Sequence, residues 1–162
     1  MVVLVSTRFN NDTFLENEKY REEKKIICIY PVPQKISLRI ENNDLLFVVE
    51  MNNSLNRIEG IGLIRNVIQM DKLHKVYSDG NYNRYIYKSN YRLDRNKVTE
   101  YNEEIVFCLD YILFKEKTHL KRGIGITSIP EKLLNHKICI CKNIDLIKEV
   151  KNMFLFYYRN TL

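Results

Sequence analysis

At 162 residues, 45% hydrophobic and 28% charged, the chain has the balance of an ordinary globule and enough length to bury a core without disulfide or metal staples. No run of about twenty apolar residues is present, which excludes a membrane-spanning helix. The opening Met1–Val5 run is too short, and lacks the basic start, for a signal peptide, so an intracellular, soluble protein is expected.

Taken in chain order, Val2 to Arg8 reads as a strand ended by the polar run Asn10-Asn11-Asp12. Thr13 followed by Glu16 has capping-box spacing and predicts a charged helix from Thr13 to Lys24. Ile26 to Tyr30 is apolar and β-branched, hence a buried strand stopped by Pro31-Val32-Pro33. Leu45 to Met51 (LLFVVEM) is the strongest strand pattern. The polar turn Asn52–Asn56 joins it to Arg57–Arg65 as an antiparallel hairpin. Gly60 and Gly62 inside that second strand point to a bulge or a close backbone approach.

The middle of the chain carries the chemistry. Lys72 to Lys97 holds seven Lys/Arg against Asp79 and Asp94, a local +5 beside the whole-chain +6. Five of the eleven tyrosines (Tyr77, Tyr82, Tyr85, Tyr87 and Tyr91) fall in the same stretch. The codon bias of an AT-rich genome would spread lysine evenly; it does not explain the clustering of Arg84, Arg92 and Arg95. Basic side chains bind phosphates by releasing counterions, and aromatic faces stack unpaired bases. After the turn Ser78–Asn81, Tyr82 to Lys88 alternates as a strand, and Lys88-Ser89-Asn90 is expected to turn it back into Tyr91–Arg95. That hairpin would present Tyr82, Arg84, Lys88, Tyr91, Arg92 and Arg95 as a nucleic-acid surface, with Tyr85 and Tyr87 packed inward. The competing reading is a solvated hairpin whose cations serve solubility.

Beyond it, Thr99 is placed to cap a helix with Tyr101, Ile105, Cys108, Leu109 and Ile112 at helical spacing. The basic loop Lys115–Ser128 follows, where glycine-freed amides beside Lys121 and Arg122 could cradle a phosphate. It lacks the Gly-Lys-Ser/Thr of a Walker A loop, and the competing reading is a connecting loop that needs glycine only for its turn. Pro130 opens a helical turn over Glu131–Leu134, Lys137–Cys141 reads as an edge strand, and Asn143 is expected to cap a closing amphipathic helix. Its Phe154–Tyr158 end suits a twin subunit as well as its own core, so oligomeric state stays open.

Cys28, Cys108, Cys139 and Cys141 show no CxxC spacing and read as buried free thiols; no metal or cofactor is expected. His74, His119 and His136 lack ligand spacing, and no HExxH or GxSxG occurs. A Glu-x-Lys nuclease core would need a strand, whereas Glu22–Lys24 and Glu149–Lys151 fall in expected helices.

The order of elements resembles the PUA-like superfamily in its EVE and YTH branches. The likeness is carried by the Ser6-Thr7 strand end, Ile26–Pro31, the hairpin LLFVVEMNNSLNRIEGIGLIRN and the basic Tyr-rich strands. It implies a small twisted β-barrel (about residues 1–97) flanked by helices, with a helical part (about 98–162), in one α+β domain. It also implies a base pocket at the barrel mouth, for which Ser6, Tyr30, Asn52 and Asn53 are the candidates. The chain has no tryptophan, so Tyr30 would supply the stacking face of a cage that this family builds mostly from tryptophan. Asn52 and Asn53 equally suit a hairpin turn. In texture (GIGLIRN, SDGNYNRYIYK, THLKRGIG) the chain is also similar to uncharacterised proteins of large DNA viruses. The expectation is an RNA- or DNA-binding module without catalysis. Alternatives are a viral structural or host-modulating protein whose basic face meets a protein partner, and an RNA-processing enzyme or nuclease centred on His119.

Overall fold

A computed structural model describes residues 1–159. Strand β1 (Val2–Phe9) lies parallel to β3 (Leu45–Asn52), in register from Val2↔Leu45 to Phe9↔Asn52. The parallel pairing requires a crossover, supplied by helix α1 (Asn11–Lys24) and strand β2 (Cys28–Val32). β3 turns back through the Asn-rich hairpin into β4 (Arg57–Arg65), which pairs with the short β6 (Arg92–Asp94). A two-residue β7 (Thr127–Ser128) closes on β1. The sheet order is therefore β6-β4-β3-β1-β7, and β2 pairs separately with β5 (Tyr85–Ser89).

Both faces of the larger sheet are buried, which is why its strands read as continuous apolar runs. Leu4, Phe47, Val49, Met51, Ile61 and Leu63 face one core. That core is covered by α2 (Arg95–Tyr101), α3 (Glu103–Asp110), α4 (Glu131–Leu134), α5 (Lys137–Cys141) and α6 (Leu146–Tyr157). Val5, Leu46, Val48 and Ile64 face the other, shared with β2, β5 and Phe14 and Tyr20 of α1. The α+β class stands. Among the described residues no closed barrel is found: β6 and β7 are edges of the larger sheet, and the β2–β5 ladder is separate.

Several local expectations are corrected. α1 starts earlier than predicted because Asn10 is its cap: Asn10 Oδ1 accepts from Thr13 N at 2.8 Å, and Thr13 Oγ1 accepts from Asn10 N at 3.0 Å. The predicted Tyr82–Arg95 hairpin does not form. Asp79 Oδ1 accepts from Asn81 N and holds Gly80–Asn83 as a 3-10 turn, so the strand begins at Tyr85. β5 then pairs with β2 and β6 with β4, so the chain changes sheets at Asn90-Tyr91. The expected Thr99-capped helix is two helices: Asn102 ends α2 and its Oδ1 caps α3, while Thr99 Oγ1 donates to Arg95 O. Lys137–Cys141 is a helical turn capped by His136, which leaves Cys141 exposed rather than buried. Asp145, not Asn143, caps α6. The last three residues of the expected domain, 160–162, lie outside the described residues. No helix among the described residues is long and apolar enough to cross a membrane.

Candidate ligand-binding cleft

The residues expected to share one outward face are divided by the change of sheet. Arg92 turns inward, its Nε and Nη2 donating to Glu50 Oε1 and Oε2 at 2.7 Å each, with its side chain 9% exposed. Arg95 donates to Asp110 at 3.2 and 2.8 Å and to Ile58 O at 2.9 Å; Lys88 pairs with Asp71 at 3.4 Å. Tyr91 is half-buried, edge-on to Tyr158. Tyr82, Arg84, Lys121 and Arg122 remain exposed.

The expected base pocket fares similarly. Tyr30 is buried at 2% exposure, and its hydroxyl donates to Glu50 Oε1 at 2.7 Å. Ser6 is buried within β1. Asn52 is consumed by the hairpin: its amide donates to Asn11 and Glu59, and its carbonyl accepts from Ser54 N and Leu55 N. Asn53 lines the cleft described below, and Ser6, Tyr30 and Asn52 do not.

Glu50, Arg92 and Tyr30 form a buried ionic cluster that the two glycines make possible. A Cβ on Gly60 would stand 2.8 Å from Arg92 Nη2 and 3.0 Å from Glu50 Oε2, and one on Gly62 would overlap Tyr30 and Cys28. Burial alone would raise the Glu50 carboxyl. The charge and hydrogen bonds of Arg92, with the Tyr30 hydroxyl, overcome this and hold it below its ordinary range. Burial, and then the nearby Glu50 charge, push the Cys28 thiol up to about 11. Being almost wholly buried, this cluster holds β2, β3 and β6 together rather than meeting a ligand.

The main concavity lies at the carboxyl end of β1, where a parallel strand pair leaves a crevice between its outgoing loops. It is a cleft of ≈ 480 Å³ lined by Thr7, Arg8 and Phe9, by Asn10 and Thr13 at the start of α1, and by Asn53 just past β3. Tyr77, Asp79, Asn81 and Tyr82 add a second wall, and Gly123-Ile124-Gly125 a third.

Each wall is fixed. Asn83 is buried, its carbonyl accepting from Val76 N and Tyr77 N and its amide donating to Tyr77 O, which sets the neighbouring Tyr82, 49% exposed, at the cleft. Arg8 clamps the glycine loop to β1 by donating to Leu120 O, to Gly125 O at 2.8 Å and to Thr127 Oγ1 at 2.5 Å. Asn53 Nδ2 donates to Lys121 O at 3.1 Å, while its Oδ1 is buried without a hydrogen-bond partner among the described residues. Gly125 has φ +69, a left-handed conformation that explains this glycine by the turn. Burial lowers the Arg8 guanidinium to about 10, and no carboxylate among the described residues touches it.

Sequence reasoning missed Arg8, Tyr77, Asp79 and Asn81 as wall residues. The signal available was the placement of Arg8 at the end of a strand running straight into a helix.

Of the histidines, His74 is buried with Nδ1 2.7 Å from the Tyr20 hydroxyl, His136 contacts Glu116 at 2.9 Å, and His119 is exposed. Among the described residues no three His, Cys, Asp or Glu side chains are grouped to hold a metal ion. No known family, curated protein or solved structure matches the chain.

Proposed function

We propose that the protein binds a nucleic acid, holding one nucleotide in the cleft at the end of β1 while basic side chains at its rim neutralise the adjoining phosphates. What carries this reading is the exposed Tyr82 in a nucleotide-sized concavity at the end of β1. Tyr82 offers a stacking face for a base. Arg84, two residues after Tyr82, and Lys121 and Arg122, which precede Gly123, are exposed cations close in the chain to cleft residues, although none of them lines the cleft itself. The functional sense of the PUA-like likeness, a base held in a pocket, is kept, with Tyr82 in the role expected of Tyr30. The reading needs no closed barrel and assigns no reaction.

A protein partner is the second reading, favoured by the exposed Phe107, Leu155 and Phe156 on the helical side.

Short single-stranded DNA and RNA oligonucleotides, titrated at two salt concentrations, separate the two. Binding that weakens with salt is expected, and Lys121→Gln with Arg122→Gln should reduce the log–log salt slope by about 1.4, from roughly 0.7 per phosphate contact on a single strand. Absence of binding at low salt would overturn the nucleic-acid reading and leave the protein partner.

A further inference from the structure

On the far side of the glycine loop lies a second cleft of ≈ 320 Å³, whose lining includes Arg8, Lys117, His119, Gly123 and Lys132. We propose, resting on the nucleic-acid reading above, that this cleft is a phosphodiester subsite. It would take the phosphate and sugar of the next nucleotide, so the ligand is a strand rather than a single nucleotide.

Three observations support this. Four side chains of basic type enter the lining and no carboxylate does. Lys117, His119 and Lys132 make no ion pair among the described residues, unlike Lys88, Arg92 and Arg95, whose charge is matched by acids. Arg8, itself touched by neutral acceptors alone, and Gly123 line both clefts, so the two are neighbours across one shared wall.

Leu120, Pro130 and Leu133 add apolar surface to the same lining. Cationic side chains beside apolar ones fit a phosphodiester with its sugar better than a small, strongly hydrated anion. Lys121, on the loop between the clefts, holds Asn56 Oδ1 at 2.6 Å, which steadies the loop against the β3–β4 turn.

The test compares a nucleoside monophosphate with a five-nucleotide single strand, on the wild-type protein, on Lys117→Gln/Lys132→Gln, and on Lys148→Gln/Lys151→Gln. The last pair removes the same charge from the exposed face of α6. All four lysines are exposed, so melting temperatures should agree. At low salt the cleft variant should lose about tenfold in affinity for the strand and nothing for the monophosphate, with the α6 variant close to wild type.

A cleft variant that binds the strand like wild type, or an α6 variant that weakens equally, overturns the subsite and leaves the first cleft standing. Wild-type protein that binds neither probe overturns the nucleic-acid reading itself, and the subsite with it.

Discussion

At Gly62 the space a side chain would occupy belongs to Tyr30 and to the Cys28 sulfur, 2.7 Å from an added Cβ. Those atoms are core, not the tip of a flexible chain, so they cannot yield cheaply. Gly62→Ala should cost about 1–3 kcal/mol by overpacking, measured by urea unfolding. Gly80→Ala, with nothing near its Cβ, is the control. An unchanged midpoint for Gly62→Ala would show that the Tyr30 ring moves freely. Tyr82 tests the opposite kind of residue, since its exposed ring packs little and its removal should not alter stability. If it stacks a base, Tyr82→Ala should weaken oligonucleotide binding by about 1–3 kcal/mol in anisotropy titrations. Equal affinity would take stacking out of the site.

Strands β2, β3 and β6 meet at Glu50, and that carboxylate makes the junction depend on pH. Its folded value lies below its ordinary value of 4.5, so it contributes stability above that pH and loses the contribution as pH falls through the folded value. Stability should therefore decline as the medium is acidified below about 4.5, and the decline should be shallower in Glu50→Gln. At neutral pH that variant leaves Arg92 buried without its charge partner and should be about 3 kcal/mol less stable. Denaturant unfolding across pH 3–7 reads both effects; parallel curves for the two proteins would assign the acid sensitivity elsewhere. The separation of β5 from β6 belongs to the same scale. Arg92 reaches Glu50 because β6 lies on β4 opposite the two glycines, with Gly62 paired to Arg92 and Gly60 to Asp94.

Across the whole molecule, one sheet separates two apolar cores, and the cleft opens where its parallel strands end. The glycine loop is held there chiefly through Arg8. Arg8→Met should release it locally, speeding amide exchange over 123–127 by roughly thirtyfold if about 2 kcal/mol of clamping is lost, while β3 and β4 stay protected. Exchange that rises throughout the chain would instead make Arg8 part of the global core.

The local content of the fold was legible in the residues themselves. Apolar runs marked β1, β3 and β4, the glycines marked a close approach, and helical spacing marked the inner stripe of α6, because period and sterics act between near neighbours in the chain. Asn53, Tyr82, Lys121 and Arg122 could be nominated for the same reason, as residue types suited to phosphates and bases.

Which strand lies beside which could not be read that way. Pairing β1 with β3, or sending β5 and β6 to different sheets, depends on contacts between residues far apart in sequence, such as Glu50 with Arg92. Those contacts decided that one arginine is a buried strut while another stays at the surface, and they placed the cleft at the end of β1. Composition sets how much charge a chain carries; the distance from each cation to its nearest acid sets how much of that charge a ligand can meet.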